Sequence, residues 1–138
     1  MRWAIRIAVT AVVIAALAIG YCLCQEISAS LHAEHVLHAS SLTVQLLEDY
    51  VVQHDGEWPR SWTDLEGLPP REWAVFEWPK DSQEVQQYVA VDFSADPQRL
   101  AKLKLDEFDA VRPIGPYYPF EDYGSVEALL RTIREHTK

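Results

Sequence analysis

The sequence predicts an α+β protein built on one long N-terminal helix. Three observations carry this: an uncharged apolar run from Ile7 to Cys24, a helically spaced stripe that continues out of it, and an alternating apolar–polar run from Glu84 to Phe93. The expected arrangement is a long helix, part membrane-spanning and part amphipathic, packed on a small antiparallel sheet and closed by a C-terminal helix.

The first element is set by charge. The chain has 138 residues and a formal net charge of −9, yet all 21 acidic residues lie beyond Gln25, and Arg6 is the only charge between Trp3 and Cys24. With Arg2 and Arg6 set apart, ten Lys and Arg face 21 Asp and Glu, so the remainder stands at −11. Such acidity excludes a phosphate-binding face and hence nucleic acid as a partner. Ile7–Cys24 would span roughly 27 Å as a helix, close to the thickness of a hydrocarbon core. Residues 3–24 are therefore expected to lie in a lipid bilayer, with Trp3 and Tyr21 near the two headgroup regions. Arg2 and Arg6 precede the run and Glu26 follows it, which keeps the N-terminus cytoplasmic and sends the acidic part outward. A cleaved signal peptide has the same charge order, but the apolar run is long and the nearest small-x-small site, Ser28-Ala29-Ser30, falls within a continuing helical pattern. Retention as a signal anchor of the inner membrane is expected. Cys22 and Cys24 are the only cysteines, so the acidic part has neither a disulfide framework nor thiolate metal ligands.

The second element continues the first. Ile27, Leu31, His35, His38, Leu42, Leu46 and Tyr50 advance by three or four residues, and Leu47 and Val51 widen the stripe. No Pro or Gly interrupts the chain between Tyr21 and Asp55. Gly56 provides a left-handed residue to end the helix, and Trp58-Pro59 enforces extended backbone after it. Ser61 with Asp64 forms a capping box for a short second helix carrying Leu65. The expected division is 1–25 anchor, 26–55 amphipathic helix and 56–138 small α+β domain outside the cytoplasm.

Within that domain, Gly67–Pro70 is a turn, and the runs Trp73–Trp78 and Glu84–Phe93 read as an antiparallel pair. Asp96-Pro97 starts a helix burying Leu100 and Leu103, and Leu105–Phe108 forms a further turn. Pro113, Gly115, Pro116 and Pro119 impose an irregular stretch. Ser125 then caps a helix from Val126 to His136, with Val126, Leu129, Leu130 and Ile133 on one face.

An apolar helix running into an amphipathic one, followed by Gly56-Glu57-Trp58-Pro59-Arg60-Ser61-Trp62-Thr63-Asp64-Leu65, resembles the type IV pilins and the pseudopilins of type II secretion. The resemblance covers the first half of the chain and implies a shape. The glycine of a prepilin cleavage site is absent ahead of the apolar run, and no acidic residue occurs before Glu26. The stretch Phe108–Pro116 is similar to segments of small bacterial membrane proteins and implies no activity.

Three sets of side chains are candidates for function. His32, His35 and His38 recur every three residues and could chelate zinc or copper with Glu34 nearby, although each step rotates about 60° around the helix. The blander reading is a polar seam. Trp58, Trp62, Trp73, Trp78, Tyr117 and Tyr118 lie in proline-framed segments and could line a groove for an envelope glycan or a peptide. Against this, a domain so small needs large side chains to build any core. The clusters Glu48-Asp49, Asp106-Glu107-Asp109 and Glu121-Asp122, and the His54-Asp55 pair, read as solvated faces and helix ends. No phosphate loop, nucleophile elbow or HExxH sequence occurs, so no catalytic residue and no cofactor are expected. The expectation is a non-catalytic, single-pass structural or interaction module whose long helix contacts itself or a protein partner.

Overall fold

The computed structural model describes residues 2–115 and 123–137. Its elements in order are helix α1 (Arg2–Gln53), α2 (Trp62–Glu66), strands β1 (Arg71–Trp73) and β2 (Phe76–Trp78), α3 (Ser82–Tyr88), β3 (Val89–Val91), α4 (Pro97–Leu100), a 3-10 turn (Leu105–Glu107), β4 (Val111–Pro113) and α5 (Tyr123–His136). The class is α+β, as expected. The chain forms two compact units, Met1–His32 and Ala33–Lys138, so the distal part of α1 belongs to the globular unit. This places the division inside the segment 26–55 that the sequence suggested as one piece.

In the globular unit, α1 is the centre of the core. Ala39, Ser40, Leu42, Thr43, Val44, Leu46 and Leu47 are all buried, leaving only Ser41 and Gln45 partly exposed in that stretch. A helix enclosed on nearly all sides must be apolar or small all round, and the residues outside the expected stripe are indeed small or β-branched. The helix ends in a Schellman-type turn in which the Gly56 amide donates to the Val51 carbonyl at 2.9 Å. The left-handed cap is Asp55, at φ +51, and Gly56 follows at φ +91. The expectation that Gly56 itself is the cap is thus shifted by one residue, since Asp tolerates this conformation.

The corner after it is built as expected. Asp64 accepts from the amides of Arg60 and Ser61 at 2.7 and 3.0 Å, completing a capping box over α2 and burying Leu65. Asp96 caps α4 by accepting from the Gln98 amide at 2.9 Å, with Pro97 at its first position.

The strands differ from expectation. Instead of one pair there are two separate two-stranded antiparallel sheets. β1 and β2 form a hairpin with Arg71↔Trp78, Glu72↔Glu77 and Trp73↔Phe76 in register. β3 pairs with β4 through Val89↔Pro113, Ala90↔Arg112 and Val91↔Val111. The first half of the expected strand Glu84–Phe93 is helix α3, because the buried residues Ser82, Val85 and Val89 recur at helical spacing. Its partner strand lies in the proline-bearing stretch read as irregular, where Pro113 sits on the edge strand β4 and costs no ladder bond with β3. Helix α5 begins at Tyr123, two residues before the expected cap Ser125. It buries Leu129, Leu130 and Ile133 with Thr132, whose hydroxyl donates to Glu48 of α1 at 2.8 Å. The guanidinium of Arg134 donates to the carbonyls of Ala101 and Leu103 at 3.0 and 2.7 Å, tying α5 to the turn after α4.

Candidate functional site

The first unit is defined by what its helix leaves uncovered. Trp3, Val12, Leu17 and Tyr21 are 76%, 68%, 69% and 67% exposed, and Val9, Val13, Ile14, Ile19 and Leu23 are exposed with them. The helix contains an 18-residue window of mean hydropathy 1.8, none of it buried, which is long and apolar enough to cross a membrane. Its polar groups are handled within the helix. The Thr10 hydroxyl donates to the Arg6 carbonyl at 2.9 Å, and the Gln25 amide donates to the Tyr21 hydroxyl at 2.8 Å where the apolar run ends. Cys22 and Cys24 are free and exposed.

The histidines do not form a ligand set. His35 packs its ring edge-on against Phe76, with centroids 5.9 Å apart, and lies 5.5 Å from the ring of Tyr88. His38 faces Glu34 at 3.8 Å across one turn. Among the described residues no three His, Cys, Asp or Glu side chains gather as a metal site. The structure does not bring the expected set His32, His35 and His38 together: the rotation between successive members spreads them round the helix, and the His35 ring packs against Phe76 and Tyr88.

The described members of the aromatic set do not gather round one groove. Trp58 and Trp78 are 7% and 2% exposed, and their indoles donate to the backbone carbonyls of Asp92 and Leu65 at 3.0 and 3.2 Å. They are core side chains whose polar handle is satisfied inside. Trp62 is half-buried between Trp78, at 6.3 Å, and Phe93, at 5.6 Å in a T-shaped contact. Trp73 is half-buried, with its indole nitrogen buried and without a partner among the described residues. Tyr117 and Tyr118 lie outside the described residues. A groove in the globular unit, about 390 Å³, is lined by Pro70, Arg71, Glu72, Glu77, Trp78, Pro79 and Lys80. It touches one member of the expected set, and that one shows almost no surface. Its rim is charged: Arg71 is paired with Asp49, and the Lys80 amine donates to Glu77 at 2.7 Å, a bond that raises the lysine above its ordinary value.

The carboxylates are employed in building the fold. Glu48 accepts from Thr132, and Glu66 accepts from the buried Ser82 hydroxyl at 2.6 Å, joining α2 to α3. Asp109 forms a two-pronged pair with Arg99 at 3.2 and 2.9 Å, and that guanidinium, foremost through these bonds, holds its carboxyl below the ordinary range. His54 stacks on Tyr50 at 3.8 Å, with Nδ1 2.9 Å from the Tyr50 carbonyl. That stack was not anticipated, although the four-residue spacing of two aromatic rings at a helix end is the signal for it. The buried hydroxyls of Ser40 and Thr43, without a partner among the described residues, have no sequence signal at all.

No protein family, curated protein sequence or solved structure matches this chain. What the coordinates define is a class of architecture: a candidate membrane-spanning N-terminal helix whose distal part packs with small antiparallel sheets, loosely pilin-like.

Proposed function

We propose that the protein is a single-pass, membrane-anchored structural or protein-interaction module without catalytic activity, carrying a pilin-like domain outside the cytoplasm of a bacterial cell. The observation that carries this reading is the contrast along one helix. Its apolar residues from Val9 to Leu23 are exposed, whereas those from Val36 to Val51 form a core, so the same element serves lipid at one end and protein at the other. The unbroken helix through Ser28-Ala29-Ser30 supports retention, because signal-peptide cleavage needs extended backbone. Arg2 and Arg6 ahead of the span support an inner-membrane orientation with the N-terminus inside. The partner class proposed is a second copy of the chain or another envelope protein, met through the long helix.

Carbonate extraction combined with protease protection of spheroplasts tests it. The expected result is a full-length, carbonate-resistant protein whose C-terminal part is digested from outside. A shortened soluble form, or a C-terminal part protected from protease, overturns the reading. Crosslinking in membranes then distinguishes a module with protein contacts, which yields adducts through α1, from an isolated anchor.

A further inference from the structure

We propose that the β1–β2 hairpin is a strap that opens locally, with Trp73 leaving its seat while the base of the hairpin stays clamped. Four features oppose the closed form, and all fall on residues 72–77. Trp73 holds a buried indole N–H that meets no acceptor among the described residues, and a buried unpaired donor is costly. Ala74 sits at φ +46, in the left-handed region that a residue with a Cβ rarely adopts. The two-residue turn is Ala74-Val75, with Val75 45% exposed, where Gly, Asn or Asp is the favoured chemistry. Glu72 and Glu77 stand directly opposite each other, both exposed, so like charges face across the strands, relieved in part by the Lys80 ammonium bonded to Glu77. A two-stranded sheet of three-residue strands has little cooperativity with which to absorb these penalties.

Opening relieves the penalties at the tip. The indole gains water and Ala74 leaves the left-handed region. The base resists. Trp78 is buried with its indole bonded to the Leu65 carbonyl, the Glu77 amide donates to Asp81 at 2.7 Å, the Asp81 amide returns to the Glu77 carbonyl at 2.8 Å, and Arg71 is paired with Asp49. Phe76 is held as well, 3% exposed with its ring against His35 and Tyr88, so the movement is confined to Trp73-Ala74-Val75 and pivots on Phe76, Glu77 and Trp78. Segments where several local preferences are violated together are where alternative conformations and function concentrate.

Residue-resolved amide hydrogen exchange on the full chain in detergent micelles tests this, independently of the membrane reading. The Trp73–Val75 amides are expected to exchange through a local opening, at rates insensitive to mild denaturant, while those of Leu42–Leu47 follow global unfolding. Ala74→Gly and Trp73→Phe, which remove the strain and the orphan donor, are each expected to slow tip exchange about threefold or more. Tip amides that exchange only together with the α1 core overturn the proposal. So do unchanged tip rates in both variants.

Discussion

The end of α5 lies hard against the corner that follows α1: a Cβ added to Gly56 would stand 2.7 Å from the carbonyl oxygen of His136 and 3.1 Å from its Cβ. Gly56 is also at φ +91. The contact is with backbone, which cannot swing aside as a long side chain can. Gly56→Ala is therefore expected to lower stability by about 2–4 kcal/mol, combining left-handed strain with overpacking. Denaturant unfolding of the full chain in detergent checks it, and His136→Ala in the same background should not restore the loss, since the carbonyl remains.

Thr43 presents the opposite case. Its hydroxyl is fully buried on the central helix and has no partner among the described residues. Thr43→Val keeps the shape and the β-branch while removing the unpaired donor. A gain of about 1 kcal/mol is expected, seen as a raised thermal midpoint. A loss of similar size would show that the hydroxyl is satisfied in solution.

Tyr50 makes stability depend on alkaline pH. Its phenol is raised above the ordinary value first by burial and then by the charges of Asp64 and Glu57, with Arg60 opposing. A raised folded-state value means that the contribution is whole below the unfolded value of 10.0 and is lost as pH rises through the folded one. Stability should decline above about pH 10 because the unfolded phenol ionises while the folded one stays neutral. Tyr50→Phe should flatten that decline relative to the parent chain, as measured by unfolding at about pH 9, 10 and 11.

What could be read from the chain divides along the range of the interactions. The Ser61–Asp64 and Asp96–Pro97 helix starts were legible because each joins residues two or three positions apart. The apolar span is legible because its signal is local, an uncharged run of spanning length, and needs no tertiary knowledge. Glu84–Tyr88 was misread as strand because Val85 and Val89 satisfy alternation and helical spacing alike, and what decides between them is which face lies against the core. The strand β4 was hidden because its pairing, Val89↔Pro113, closes a loop too long for a local signal. The roles of Trp58 and Trp78 turn on distant acceptors: the Asp92 and Leu65 carbonyls make them pillars of the core, and composition alone leaves a groove equally available.

The sharpest functional expectation concerns Ile14, near the middle of the apolar run and 61% exposed. Among the described residues no protein neighbour covers it, so under the proposed anchoring a substitution there is expected to act through lipid. Ile14→Arg places a charge at the centre of the span, which costs about 2.5–3.5 kcal/mol on an insertion scale against a small favourable value for Ile. The expected outcome is a shift of the protein from the carbonate-resistant membrane fraction to the soluble or degraded pool, while Ile14→Leu behaves as the parent. The tryptophan signal of Trp58 and Trp78, both in the globular unit, reports whether that unit still folds. Retention in the membrane by Ile14→Arg, with an unchanged tryptophan signal, would mean that α1 lies in a protein-lined or interfacial setting, and the single-span anchor would be abandoned.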